Sequence, residues 1–174
     1  MGYELSVETP EDGWEVEALL DTAFAPGRTS LSSYRLRTCP PVASLCHVAR
    51  DEMGILAGAI RFWPVRVAGL PVLLLGPVAV HPTRQGEGLG ALLIEGSLEE
   101  ARADWARVLL VGDAAYYRRF GFALLDHVTM PPPTDPARVL GRELLPGAWQ
   151  DVAGDVVAWN QSPASDVTPE EGRP

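Results

Sequence analysis

Lysine is absent from this sequence, so arginine supplies every basic side chain apart from three histidines. The 14 arginines are outnumbered by 23 aspartates and glutamates, which gives a formal net charge of −9. A protein that binds nucleic acid generally needs a basic face, so this deficit of positive charge argues against that class. A small anionic ligand is not excluded, because backbone amides and a few arginines are enough to hold one.

Cysteine is scarce as well, with Cys39 and Cys46 the only two. Their spacing fits neither a C-x-x-C redox motif nor a zinc-ligand pattern, and His47 alone cannot complete a metal site. We therefore expect two reduced thiols in or near the core, and no metal.

Long apolar runs are missing, since none approaches the ~20 residues that a transmembrane helix requires. The first residues, MGYELSVETPEDGWE, are acidic and lack the basic and apolar regions of a secretory signal. These absences predict a cytoplasmic protein without a membrane partner. The hydrophobic content of 47% predicts one globular domain, which we assign to residues 1–160. Residues 161–174 are almost free of apolar side chains and are expected to form a disordered acidic tail.

The most informative stretch is a strand, a glycine-rich turn and a helix in succession. Val72–Val80 is apolar almost throughout and predicts a buried strand, which His81 and Pro82 end. Leucines and alanines from Leu89 to Ala101 recur at helical spacing, with glutamates on the other side. Glycines let the backbone approach a ligand closely, and the first amides of a helix attract an anion.

The type of anion follows from the exact order of the glycines. No Gly-Lys-Ser/Thr follows them, so the turn is not a Walker A loop, and G-x-G-x-x-G spacing is absent too. The turn resembles the coenzyme A pyrophosphate loop of the GNAT acetyltransferases, Q/R-x-x-G-x-G/A, which here reads Gln85-Gly86-Glu87-Gly88-Leu89-Gly90. Taken alone, a merely structural glycine turn is the alternative.

A second motif lies at the separation that this family has. Asp113-Ala-Ala-Tyr-Tyr-Arg-Arg-Phe-Gly-Phe122 resembles the segment after the family's fifth strand, with Tyr117 and Gly121 in the Tyr-x-x-x-Gly-Phe register. Two motifs in the right order, over a resemblance that spans residues 3 to 125, identify the chain as a member of the GNAT superfamily.

The remaining elements fit the same order. We predict a first helix from Thr9 to about Phe24, a second short helix over 28–37, and strands over 3–8, 44–50, 55–67, 72–80 and 107–111. Tight turns join the middle strands into an antiparallel meander, and a helical crossover makes the last two parallel. Final strands are expected within 139–149 and 151–159. The resemblance implies an α/β (α+β) fold, whose mixed sheet of six to seven strands carries flanking helices and a parallel pair splayed around the cofactor.

The resemblance also implies the reaction and the cofactor. An acetyl group would pass from acetyl-CoA to a primary amine of a small molecule or peptide, by direct attack in a ternary complex. Backbone amides of the glycine loop would hold the pyrophosphate, with charge from Arg84, Arg118 or Arg119, and the strand end would hold the pantetheine arm. The implied cofactor contacts are Val78, Ala79, Val80, Arg84, Gln85, Gly86, Glu87, Gly88, Leu89, Gly90, Asp113 and Tyr117.

Tyr117 is implied to protonate the leaving thiolate, since a phenol is a suitable acid for it. We assign Tyr116 to packing and leave Asp113 between a cofactor contact and a helix cap. The general base stays unassigned, because Leu70–Val80 has no carboxylate and His81 is a turn residue. Because no base is evident, a non-catalytic regulatory module that binds acetyl-CoA is the alternative function. Whether the chain forms a homodimer is left open.

The resemblance implies that the acceptor pocket is formed by the first two helices and the final strands. The aromatic and basic residues there predict a pocket that suits an acceptor bearing a carboxylate. Those residues are Phe24, Arg28, Tyr34, Arg35, Arg61 and Trp63.

Overall fold

The computed structural model describes residues 2–24 and 32–160. The helices are α1 (Gly13–Phe24), α2 (Leu89–Ala101) and α3 (Ala114–Tyr117). The strands are β1 (Glu4–Val7), β2 (His47–Arg50), β3 (Leu56–Val67), β4 (Leu70–Val80), β5 (Arg107–Val111), β6 (Ala123–Leu124), β7 (Val128–Thr129), β8 (Val139–Glu143) and β9 (Gly154–Ala158). Short 3₁₀ turns cover Pro10–Asp12, Ser32–Leu36, Ala43–Leu45, Pro82–Arg84, Arg118–Phe120 and Pro136–Arg138.

The described strands form one mixed sheet in the order β1-β2-β3-β4-β5-β8-β6, with β9 pairing both β3 and β7. β1 to β4 run antiparallel, and β4 pairs with β5 in parallel, which confirms the predicted meander and crossover. The sheet has nine strands within the described residues, where six to seven were expected. β6 and β7 are two residues long, too short to leave a periodic pattern in the sequence.

Helices α1 and α2 belong to different hydrophobic clusters of the sheet. Leu93, Ile94 and Leu98 of α2 join the large cluster built on β3, β4 and β5. Leu19 and Leu20 of α1 join a separate cluster with residues of β2, β3 and β4. The middle of the sheet therefore lies between α1 and α2, and β4 contributes side chains to both clusters.

Several details of the sequence prediction were wrong. The apolar stripes in the sequence of α1 and α2 place Trp14 and Leu92 on buried faces, but these side chains are 75% and 47% exposed, so the buried faces are narrower than the sequence predicts. Val7 is 46% exposed because β1 is an edge strand. The helix predicted over 28–37 is, in its described part, only the 3₁₀ turn Ser32–Leu36. Its beginning lies outside the described residues, as does the tail over 161–174.

β4 bends away from β5 halfway along its length. The described β4–β5 pairing comprises only Leu73 with Val108 and Leu74 with Leu109, although β4 continues along β3 to Val80. Gly76 and Pro77 together oppose a single residue of β3, which is a β-bulge. Gly76 has a φ of +130°, which side chains rarely tolerate. The bulge therefore opens a gap between the ends of the two parallel strands.

None of the helices within the described residues is long and apolar enough to cross a membrane.

Candidate active site

Two adjoining cavities occupy the gap between β4 and β5. The loop cavity, of about 600 Å³, is bordered by the end of β4 and the glycine loop before α2. The splay cavity, of about 570 Å³, lies between Leu74–Val78 and Leu110–Asp113. Both cavities are lined by Phe24, Val78, Tyr116 and Tyr117, so they adjoin at these residues, and we refer to the pair as the channel.

The glycine loop sets the wall of the loop cavity. Gly86 and Gly88 have φ values of +85° and +78°, and Gly88 is the N-cap of α2. This left-handed backbone turns the chain into the helix and leaves the first helical amides without internal partners. All the loop residues from Gln85 to Gly90 line the cavity except Glu87, whose carboxylate instead accepts a hydrogen bond from the Tyr3 hydroxyl.

The exposed edge of β4 offers main-chain groups to the same channel. The N–H of His81 donates to a β3 carbonyl at 2.8 Å. Because main-chain groups alternate in direction along a strand, Ala79 also faces β3, whereas Val78 and Val80 face the gap. Two of the three predicted strand residues therefore present hydrogen-bonding groups to the channel, and Ala79 contributes only to its lining.

Two of the three candidate arginines reach the loop cavity. Arg84 lines it and is held by an ion pair to Asp51, with 2.6 Å between Nη2 and Oδ2. Arg119 also lines it and places its guanidinium carbon 4.8 Å from the centre of the Tyr116 ring. Arg118 does not line either cavity within the described residues.

Tyr117 stands where the loop and splay cavities meet. Its ring packs so closely on Gly112 that a Cβ added there would lie 2.5 Å from the ring, so no larger residue fits without movement. Burial raises the pKa of Tyr117 to about 12, and Tyr116 adds to the rise while Arg138 opposes it. The phenol therefore keeps its proton throughout the neutral pH range.

The sequence analysis assigned Tyr116 to packing, but its side chain also borders the site. Its ring meets that of Tyr117 edge-on at 4.9 Å, yet it lines both cavities. A Cβ added to Gly90 would lie 3.4 Å from the Tyr116 hydroxyl, which places that hydroxyl at the first turn of α2.

Asp113 serves as a cap. Its Oδ1 accepts a hydrogen bond from the amide of Ala115 at 2.9 Å, at the start of α3. The capping role left open by the sequence is therefore present, and the carboxylate also lines the splay cavity.

The predicted acceptor residues are only partly brought together. Phe24 and Tyr34 line the splay cavity, but Arg61 is held by Glu8 and Glu17 at 2.8 and 2.7 Å and Arg35 by a main-chain carbonyl. Neither of these two arginines lines the loop cavity or the splay cavity within the described residues, and Arg28 lies outside those residues.

Arg37 and Arg138 line the splay cavity instead. Arg37 stacks on Tyr34 at 3.7 Å from ring centre to guanidinium carbon and lies 5.2 Å from the ring of Trp63. Arg138 was missed because it lies in a proline-rich loop without periodicity, although Asp135-Pro136 is a recognisable start of a 3₁₀ turn.

Neither cavity offers an evident general base from the described residues. Within residues 2–24 and 32–160, Asp113 is the only carboxylate that lines them, and it caps α3. His81 accepts from the amide of Thr83 at 3.2 Å, as expected for a turn residue, and His47 is buried against the carbonyl of Leu45.

Comparisons with known proteins agree with this geometry. Residues 43–124 match the family described as "Acetyltransferase (GNAT) domain". The chain is 33% identical over 126 residues to the Escherichia coli "Uncharacterized N-acetyltransferase YhbS". The matched region covers 71% of this chain and 75% of that protein.

Two solved structures share the fold over most of their length. One is the E. coli GNAT-family N-acetyltransferase YhbS in complex with CoA, with a TM-score of 0.74, 28% identity, and coverage of 90% of this chain and 89% of that one. The other is a GNAT-family acetyltransferase from Brucella melitensis in complex with acetyl-CoA, with a TM-score of 0.66, 30% identity, and coverage of 95% and 99%.

Proposed function

The chain belongs to the GNAT family of acetyltransferases, and on this premise we propose that it moves the acetyl group of acetyl-CoA to a primary amine of a small molecule or peptide. The amine would attack the thioester directly while both substrates are bound. The observation that carries this proposal is the channel of two adjoining cavities, which brings together the glycine loop, the free edge of β4 and Tyr117.

The residues around the loop cavity suit the pyrophosphate of CoA. The amides at the start of α2 and the helix dipole favour an anion, and Arg119 and Arg84 add positive charge beside them. The similar proteins from E. coli and B. melitensis were solved with CoA and acetyl-CoA, which supports the same ligand here.

The free edge of β4 suits the rest of the cofactor. Val78 and Val80 face the gap with their main-chain groups, so an extended arm could pair with them as an added strand. An amide at this edge would polarise the thioester carbonyl, and a fixed donor stabilises the oxyanion better than mobile water does.

Tyr117 is proposed to stabilise the leaving sulfur. The pKa of Tyr117 is raised to about 12 by burial. An alkyl thiol resembles cysteine, with a pKa of about 8.5, so a complete proton transfer from this phenol to the thiolate is uphill by roughly 5 kcal/mol. Tyr117 would therefore act first as a hydrogen-bond donor to the sulfur. Proton transfer would follow when the cationic amine of the tetrahedral adduct lowers the pKa of the phenol.

The raised pKa predicts the pH profile. The kcat/KM for acetyl-CoA reports the ionisation of groups in the free enzyme. At any pH below about 10, Tyr117 should therefore keep its proton, and its ionisation should not reduce kcat/KM. Activity should instead rise from pH 7 to 10 as the acceptor amine loses its own proton. A rate profile over that range is the test. An alkaline decline centred near pH 9 that disappears in Tyr117→Phe would contradict the raised pKa of Tyr117.

The alternative function is a regulatory module without turnover. The observation in its support is the lack of an evident general base on the described cavity linings. An amine that arrives neutral needs no base, so we expect turnover. Release of free CoA in the presence of a broad amine panel separates the two functions. Tight binding of acetyl-CoA with no acetylated product from any amine would support the regulatory module.

Coenzyme A should stabilise the fold, and ATP or NAD should not replace it. A ligand at a hundredfold excess over its Kd adds about 2.7 kcal/mol to the free energy of unfolding, which corresponds to roughly 5–10 °C in Tm for a chain of this size. A thermal-shift assay with each ligand is the test. Equal shifts with ATP and CoA, or none with CoA, would overturn the assignment of the loop.

A further inference from the structure

Most arginines of this chain are fixed by contacts within the protein. Ion pairs hold Arg50, Arg61, Arg84 and Arg102, and main-chain carbonyls hold Arg35, Arg66, Arg107 and Arg142. Arg138 differs from these. Across the described ranges 2–24 and 32–160 its guanidinium has no hydrogen bond or ion pair, and it is exposed on the lining of the splay cavity. Its charge is therefore available to a ligand there.

The backbone that carries Arg138 is held in place. Its carbonyl accepts a hydrogen bond from the amide of Gly112 at 2.9 Å, directly after β5. Its own amide donates to the carbonyl of Asp135 at 3.0 Å, and the Asp135 side chain caps the same 3₁₀ turn. The guanidinium is thus presented from a fixed point beside the end of β5.

The second cation of the splay cavity comes from a segment that is tied to the first. Arg37 follows the 3₁₀ turn Ser32–Leu36 and stacks on Tyr34. Two hydrogen bonds join this turn to the loop before Arg138, one between Ser32 and Thr134 at 2.5 Å and one from Arg35 to Pro132 at 3.2 Å. The two segments that carry Arg37 and Arg138 are therefore tied together before any substrate binds.

The charge around this cavity is opposite to that of the whole protein. Arg37 and Arg138 face it, and the carboxylate of Asp113 is the only acidic group on the lining from the described residues. The chain as a whole carries −9. Two arginines held in a pocket of an acidic protein form a site for a carboxylate, which guanidinium groups bind through charge-assisted hydrogen bonds.

We propose that the splay cavity selects acceptors that carry a carboxylate a few bonds from the reacting amine, as a free amino acid does, and that Arg138 and Arg37 hold that carboxylate. This rests on the proposed acetyl transfer. The short spacing follows from the cavity itself, because Tyr117 and Arg138 both lie on its lining. Phe24 and Tyr34 leave an aromatic wall for the rest of the acceptor.

The test compares each amino acid with its own carboxamide. The full-length protein is incubated with acetyl-CoA and an equimolar mixture of free amino acids and their amides, and acetylated products are measured by mass spectrometry. We expect the products to come from the carboxylates. The amide has the less basic amine, so intrinsic reactivity works against this result. Equal or preferred acetylation of the amides would overturn the proposal, as would an absence of acetylated amino acids from protein that binds CoA. Failure to bind CoA would instead overturn the proposed function itself.

Arg138→Gln then tests the residue. With the preferred amino acid, KM should rise about 10- to 100-fold, which is the usual effect of losing a charge-assisted hydrogen bond, while kcat changes much less. Activity on the matched amide should fall far less. Arg138→Lys should recover part of the loss, because it keeps the charge without the planar fork. Arg102→Gln removes a surface arginine directly after α2 and is the matched control. Equal losses on both acceptors would show that Arg138 is structural and would overturn its role.

Discussion

Replacing Tyr117 by phenylalanine is expected to lower kcat by about 10²- to 10⁴-fold, the usual contribution of general acid catalysis, with little change in KM for acetyl-CoA. The substitution keeps the ring that packs on Gly112, so the fold should be retained. The hydroxyl matters most when negative charge develops on the leaving sulfur, so its loss affects the transition state more than binding. Steady-state kinetics with saturating acceptor give both constants.

Tyr116→Phe is the matched control for this experiment. The Tyr116 hydroxyl lies at the first turn of α2, near the proposed pyrophosphate site, and away from the role assigned to its neighbour. We therefore expect a modest rise in KM for acetyl-CoA and a small effect on kcat. A Tyr117→Phe enzyme with full kcat would remove that residue from the mechanism. A larger kcat loss in Tyr116→Phe would transfer the role to Tyr116.

Replacing Gly90 by valine is expected to weaken CoA binding by more than about 100-fold, or roughly 2.7 kcal/mol. A Cβ at this position would point at the Tyr116 hydroxyl and at Cγ2 of Val80, at 3.4 and 3.7 Å. The added methyl groups would then occupy the part of the loop cavity where the pyrophosphate should approach the amides. Titration calorimetry with CoA, together with urea unfolding, separates binding from stability.

Gly90→Ala is the control, because a single methyl group makes only ordinary contacts there and alanine favours a helix over glycine by about 1 kcal/mol. It should bind CoA nearly as well as the wild type and be at least as stable. Gly88 is a weaker probe, since its φ of +78° means that any side chain would strain the backbone. A folded Gly90→Val protein with normal CoA affinity would make the loop merely structural.

The centre of the fold could be predicted because its signals are local. β4 is a long apolar run, α2 has helical periodicity, and the glycine loop between them has a family motif. The end of β5 and Tyr117 follow from a second motif at the expected separation. Each of these signals lies within a few residues of the structure that it predicts.

The alternation within those elements was harder to predict. The motif favoured Val78, Ala79 and Val80 alike, but the pairing with β3 turns the main chain of Ala79 away from the gap. Glu87 stands inside the loop motif, yet its carboxylate accepts a hydrogen bond from Tyr3, the residue before β1. A motif gives the segment that forms a site, and the register of neighbouring strands decides which of its residues face inward.

The proposed acceptor pocket could not be predicted, because the contacts that build it join residues distant in sequence. Ser32 and Thr134 are 102 positions apart, and neither of their segments has a periodic pattern. The choice between Arg35 and Arg37 depends on the phase of the short 3₁₀ turn Ser32–Leu36. Arg35, within the turn, donates to a carbonyl, and Arg37, directly after it, lines the cavity. Such a phase is set by tertiary packing, which composition and spacing do not reveal.

The hydrogen bonds between the Ser32–Leu36 turn and the loop before Arg138 have a consequence for how this enzyme could diversify. This turn and this loop are the proposed acceptor segments, and within the described residues they contribute nothing to the lining of the loop cavity. Substitutions in them are therefore expected to change the preferred amine without altering the handling of the acyl donor. The two acceptor segments are joined to each other, however, by Ser32–Thr134 and Arg35–Pro132. A graft from a relative should therefore succeed when both segments are exchanged together and fail when either is exchanged alone, so that new specificities would arise through paired replacement rather than by single steps.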